Sequence, residues 1–205
     1  MKSNQNKSGS VVSMLFVSAI MLLSIPSFSQ TMASSSDVDF RKNAYIGIGT
    51  GLNSYTGLLG LRLEVPLTDR FFLFGGAGIG SWGYKIGGGL SYNLKKSLFG
   101  PAISLGYSSA SGLVDFETKL ETTSGTETMV TLDLKEVGNL NLMYSYQWKI
   151  GKGNKISLGT GYSFKLTSDF YDVTSNHSLS SSSKQVLEIM APGGLIVSFA
   201  FLFGI

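Results

Sequence analysis

From about residue 43 to the end of the chain, apolar side chains recur at every second position in run after run. Leu140, Leu142, Tyr144, Tyr146, Trp148 and Ile150 interleave with Asn141, Met143, Ser145, Gln147 and Lys149. Ile156, Leu158, Tyr162, Phe164 and Leu166 alternate with Ser157, Gly159, Gly161, Ser163 and Lys165. Leu195, Val197, Phe199, Phe201, Phe203 and Ile205 share one parity. Leu59, Leu61, Leu63 and Val65 interleave with Gly60, Arg62 and Glu64, and Ile103, Leu105 and Tyr107 with Ala102, Ser104 and Gly106. Successive side chains of a β-strand point to opposite faces, so a period of two gives each strand one apolar face and one polar or very small face. This excludes a helical protein.

Turn-forming residues divide the runs: Pro66-Leu67-Thr68-Asp69, Lys95-Lys96-Ser97, Gly100-Pro101 and Gly151-Lys152-Gly153-Asn154. The pattern predicts eight strands, at about 43–52, 56–65, 70–82, 84–94, 101–119, 128–150, 155–169 and 186–205. The third and fourth are the least regular. Phe71 to Phe74 are apolar on both parities, and glycines dilute the alternation.

The first thirty residues differ from the rest. Lys2 and Lys7 make a basic leader, Val11 to Ile25 is an apolar run, and Pro26-Ser27-Phe28-Ser29 supplies small residues around Phe28. That order is the layout of a secretory signal peptide, expected to be cleaved after Ser29 or after Ala33. A run of about fifteen residues rises only about 22 Å as a helix, short of a hydrocarbon core of about 30 Å. The expected organisation is a leader at 1–29, an N-terminal segment at 30–42 facing the periplasm, and a β-barrel domain at 43–205. Without the leader the chain has 14 basic and 13 acidic residues, so its basic balance is no argument for nucleic acid. With no cysteine at all, disulfides, thiol catalysis and a cysteine-linked lipid anchor are excluded.

Composition bears on which face is the core. Charged residues are 14% of the chain, against about 25% in soluble domains. The polar-parity residues are mostly Gly and Ser, which fit a narrow interior better than a solvated exterior. The strands are long enough to cross a bilayer when tilted, which takes about 9–11 residues. Both points favour an outer-membrane barrel with its apolar parity facing lipid. Leu61, Leu63, Ile103, Leu105, Leu142, Tyr144, Leu158, Phe164, Val197 and Phe199 are the expected lipid-facing residues. Aromatics gather at one end of the strands: Phe71, Tyr92, Tyr146, Trp148, Phe201 and Phe203 form an expected girdle, with Phe72 and Phe74 beside it.

The connections at 66–69, 95–100 and 151–154 are short and fall on the periplasmic side. Those at 53–55, near 83, at 120–127 and at 170–185 face outward, the last two being longer. Basic residues (Arg41, Lys42, Arg70, Lys95, Lys96, Lys152, Lys155) gather at the short-turn end, and acidic ones (Asp115, Glu117, Glu121, Glu127, Asp133, Glu136) on the long outer hairpin. Charges of lumenal parity must be paired or wetted. Arg62, Glu64, Lys149, Lys165 and Glu188 are therefore expected to form a polar network inside the barrel.

The leader, the eight alternating strands and the alternating C-terminal strand Val197-x-Phe199-x-Phe201-x-Phe203-x-Ile205 resemble small outer-membrane barrels of the OmpX-like and OmpA-transmembrane-domain type. The Gly-rich strands and the Ser-Phe-Ser-Gln leader end resemble their Bacteroidota versions. The resemblance covers 43–205. It implies an all-β, eight-stranded antiparallel up-and-down transmembrane barrel in a Gram-negative outer membrane. It also implies outer-membrane lipids around the wall and recognition of the last strand, 195–205, by the barrel-assembly machinery. Ile205 stands where that signal usually ends in an aromatic residue.

Candidate chemistry is sparse. His177 is the single histidine, in a Ser-rich loop with Ser178 and Ser180, and Glu188 follows. A lipid-modifying hydrolase or acyltransferase needs a base beside a nucleophile and an orienting acid, and this spacing matches no such motif. No helix follows the Gly-rich runs to make a dinucleotide site, and no metal-ligand spacing occurs. The expected role is structural or interactive, with a surface partner at 111–137 and 170–185, no enzyme activity, no cofactor, no metal and no nucleic acid. Eight strands leave too little cross-section for a general porin. Two rivals stay open: a lipid-modifying enzyme, and a soluble periplasmic barrel holding a hydrophobic ligand.

Overall fold

The computed structural model describes residues 44–175 and 178–205. The leader, the N-terminal segment and His177 lie outside the described residues. Eight strands close into one antiparallel barrel: β1 (Tyr45–Leu52), β2 (Leu59–Pro66), β3 (Phe71–Gly80), β4 (Gly83–Asn93), β5 (Gly100–Ala110), β8 (Val137–Ile150), β9 (Asn154–Lys165) and β11 (Gly194–Gly204). Neighbours in sequence are neighbours in the ring. β1 seals it against β11, with Tyr45 opposite Gly204 and Leu52 opposite Val197.

The parity of the sequence becomes the inside and outside of this ring. Each of the ten expected lipid-facing residues points outward, from Leu61 and Leu63 on β2 to Val197 and Phe199 on β11. Leu142, Tyr144, Phe164 and Phe199 do not meet in a central core. No outward position on the eight strands carries a charged side chain. The outward run from Leu140 to Ile150 covers about 33 Å of strand, or about 25 Å of barrel height at a tilt near 40°. The six girdle aromatics also point outward at the short-turn end. They stack as Phe71–Tyr92 (5.1 Å between centroids), Tyr146–Trp148 (4.7 Å) and Phe201–Phe203 (4.8 Å). Phe72 and Phe74 take the opposite parity and are buried inside, which removes them from the girdle.

Two expected strands divide. The segment 101–119 breaks at Gly112 (φ 77°), where a Cβ would run into the Leu134 carbonyl. The segment 128–150 breaks at Lys135–Glu136. β5 therefore pairs directly with β8, and what lies between them, β6 (Leu113–Glu121) and β7 (Glu127–Leu134), is a separate hairpin. It is bulged at its base, where Asp115 (φ 55°) donates its amide to Asp133 Oδ1 at 3.0 Å. β10 (Tyr171–Val173) joins on the far side of β7, giving a three-stranded sheet in the order β10-β7-β6.

The last expected strand, 186–205, starts late because Ser181–Met190 is helix α1. Ser180 caps it, its hydroxyl accepting from Ser183 N at 3.2 Å, and Pro192 prevents its continuation. Sheet and helix enclose a core of Leu120, Val130, Leu132, Leu134, Leu179 and Leu187. Trp82, Ala110 and Val137 extend that core to the end of the barrel. The assembly forms a cap over the end opposite the short turns.

Candidate functional site

The lumen is filled, and small residues make it fillable. The β1–β2 connection does not face outward as its position suggested. Ser54, Tyr55, Thr56 and Gly57 fold back into the barrel and are buried. They fit because the inward positions beside them are glycines. A Cβ at Gly49 or Gly76 would meet the Thr56 side chain, and one at Gly60 or Gly78 the Thr56 carbonyl. Tyr55 packs on Phe74 at 4.5 Å between centroids, with Met143 and Ile196. The space left between this plug and the wall, beside Arg62 and Ser198, is about 10 Å³, the size of one water.

Below the plug lies an ionic cluster. Glu64, 1% exposed, receives Arg62 Nη2 at 2.7 Å on one carboxylate oxygen and the ammonium of Lys155 on the other. Lys155 also donates to Gln147 Oε1 at 3.0 Å. Its Nζ stands 4.2 Å from the Tyr45 ring centroid and 5.0 Å from that of Phe72. Two cations share one carboxylate here, and the ring faces and the amide oxygen take up the remaining positive charge. Leu98, Ala200 and Leu202 pack with Tyr45 and Phe72 at the short-turn end.

The expected lumenal network is therefore part right in membership. Arg62 and Glu64 meet, but Lys149 is exposed at the rim, 5.7 Å from the Phe99 ring. It has the inward parity and is the register partner of the buried Lys155, but its ammonium sits over Phe99 and takes no part in the cluster around Glu64. Lys165 is half-buried at the cap end against the Phe170 ring, at 4.2 Å. Glu188 is an exposed residue of α1, so strand parity does not apply to it. Lys155, Gln147 and Lys85 take their places. Lys155 directly follows a turn and reads as a rim residue, although it shares the inward parity of Ser157 and Gly159. Lys85 is buried nearer the cap and donates to the Asn53 carbonyl at 3.0 Å.

The Ser-rich stretch has structural work of its own. The Ser178 carbonyl accepts from Thr123 N at 2.9 Å and from Thr123 Oγ1 at 3.0 Å. Ser180 N donates to the Glu121 carbonyl at 3.0 Å, while its hydroxyl caps α1. These contacts seal the far end of β6. No protein-family model matches this chain, and no curated protein matches it significantly.

Proposed function

We propose that the chain is an integral outer-membrane β-barrel whose role is structural or surface-interactive, exercised through the cap. The observation that carries this reading is the inverted wall. All outward positions of eight strands are uncharged and mostly large and apolar, while Arg62, Glu64, Lys85 and Lys155 are buried inside. Water would have to cover that whole band, whereas a bilayer is its natural solvent. The plug, the ionic cluster and the Tyr45–Phe72–Leu202 group support a barrel that does not serve as a general porin. The cap supports a surface role. β6 has β7 on one side, and between its bulged base and the Ser178–Ser180 seal its other edge is where a partner strand would add.

Fractionation with heat-modifiable gel migration tests the membrane reading. The protein should extract with detergent from the outer-membrane fraction and migrate faster unheated than boiled. Recovery in the soluble periplasmic fraction without detergent would refute it. Protease added to intact cells should cut within 111–136 or 166–193 and spare the turns at 67–70, 94–99 and 151–153.

A further inference from the structure

Helix α1 has two apolar edges. Leu187, continued by Ala191 at the C-cap, is buried in the cap core, and Ser183 one turn earlier is buried with its hydroxyl on the Glu121 carbonyl. Val186, Ile189 and Met190, spaced i, i+3 and i+4, form a second edge that stays exposed. At 3.6 residues per turn this edge lies roughly 90° round the helix from the first. Ile189 is 84% exposed, more than any large apolar residue of the wall. An apolar edge so placed on a short amphipathic helix calls for a partner phase.

The surroundings of the helix identify that phase. α1 ends at Met190 and β11 begins at Gly194, so the helix sits at the rim of the wall. Asn53 fixes the junction: its Nδ2 donates to the carbonyls of Gly193 (2.5 Å) and Leu195 (3.1 Å), and its Oδ1 accepts from Gly193 N (3.2 Å). Ile189 then borders an open groove of about 660 Å³ whose other apolar walls are Leu52, Tyr162, Phe164 and Leu195. Those four are outward residues of β1, β9 and β11. Of the helix edge only Ile189 lines this groove, and Asn53, Ser163, Lys165 and Glu188 add polar lining, so apolar wall and helix edge meet across a mixed rim. Tyr162 and Phe164 pack at 4.9 Å between ring centroids where the apolar wall ends, and Lys165 and Glu188 line the same groove beside them. Aromatic and basic side chains at the end of an apolar wall suit the boundary between acyl chains and headgroups.

We infer that α1 is an interfacial helix, with Val186, Ile189 and Met190 lying in the acyl–headgroup boundary of the leaflet on the cap side. The inference rests on the membrane reading above. It chooses lipid over a second copy of the chain because Leu52, Tyr162, Phe164 and Leu195, which line the groove, belong to the wall that acyl chains would already cover.

The chain has no cysteine, so single-cysteine variants carry a spin label at one place only. Ile189→Cys, Phe199→Cys on the wall and Lys119→Cys on the β6–β7 ribbon would be labelled with a nitroxide and reconstituted in palmitoyl-oleoyl phosphatidylcholine vesicles. Accessibility to oxygen, which partitions into lipid, is compared with accessibility to a water-soluble nickel chelate. The label at Ile189 should give an oxygen-to-nickel ratio several-fold above that at Lys119 and below that at Phe199. A ratio at Ile189 equal to that at Lys119, with Phe199 in lipid, overturns the inference and leaves the barrel reading standing. Spin–spin broadening at Ile189 that disappears on dilution with unlabelled protein overturns it in favour of a second copy. A water-like ratio at Phe199 itself sinks the membrane reading and this inference with it.

Discussion

The wall of the barrel and the cap upon it are built by opposite rules. On the wall, large apolar residues such as Leu142 and Phe199 face out, and the interior holds Gly, Ser and ions. In the cap, Val130, Leu132 and Leu187 face in, and Glu117, Lys119 and Glu121 face out. Both regions are antiparallel sheet with the same alternation, so period alone does not tell inside from outside. What differs is the other parity. Gly49, Gly76, Gly78 and Gly89 have nothing to show to water, whereas Glu117 and Lys119 do. The solvent each region is built for is written in its less conspicuous face.

That contrast can be broken deliberately, and the largest effect is expected in the lumen. Glu64→Gln leaves Arg62 and Lys155 without their counter-charge and should cost about 3–5 kcal/mol of stability, read from urea unfolding in detergent micelles. A loss below about 1 kcal/mol would mean that the cluster is well hydrated. Next comes the cap core: Leu132→Ala removes a fully buried side chain, a change worth about 2–5 kcal/mol. The loss should be local, with protease cutting 111–136 faster while heat-modifiable migration persists. Faster cutting together with lost heat-modifiability would mean that cap and wall unfold as one.

On the wall the test is a charge. Leu142→Arg should cost about 2–4 kcal/mol in a bilayer, and far less if that face meets water, which makes it the sharpest discriminator between the two rules. Ser180→Ala deletes the cap of α1 and should lower cap stability by about 1 kcal/mol, seen as faster amide exchange in Ser183–Leu187. The smallest effect is expected at Lys135, which bonds Asp169 Oδ2 at 2.6 Å and Asp172 Oδ1 at 3.0 Å at the ribbon base. Hydrogen bonds to these two carboxylates raise its pKa above the ordinary lysine value. Its contribution is thus complete below the unfolded lysine pKa, near 10.4, and fades as pH rises through the raised folded value. Lys135→Met should show its small loss of protection already at neutral pH and abolish the alkaline step from the pH profile of ribbon proteolysis.

The ring of strands was readable because each residue on it answers to a single neighbour phase. Leu61, Leu105 and Phe199 are outward whatever the loops do. Parity failed where the chain leaves the wall. Strand parity puts Glu188 in the lumen, whereas Ser180 caps a helix that runs through Glu188 and stops before Pro192. The signals were present as Ser180-x-x-Ser183 and the Val186, Leu187, Met190 spacing, submerged in a run of serines. Lys155 does stand at the short-turn end, but its inward parity, not its nearness to the turn, decides that it joins Glu64 in the lumen. The plug was not legible locally. Ser54-Tyr55-Thr56 looks like any turn, and only the three-dimensional proximity of Gly49, Gly60, Gly76 and Gly78 reveals the space it occupies.

The seam between β1 and β11 has a consequence for biogenesis. Its two halves lie at opposite ends of the folded chain, so no ring exists until the final strand has been made and delivered. Every earlier stage presents two raw strand edges and a greasy outer face at once, a combination prone to aggregation. Removal of its last three residues would delete the pairs that Phe203 and Gly204 make with Ile46 and Tyr45, and so open the seam from the short-turn end.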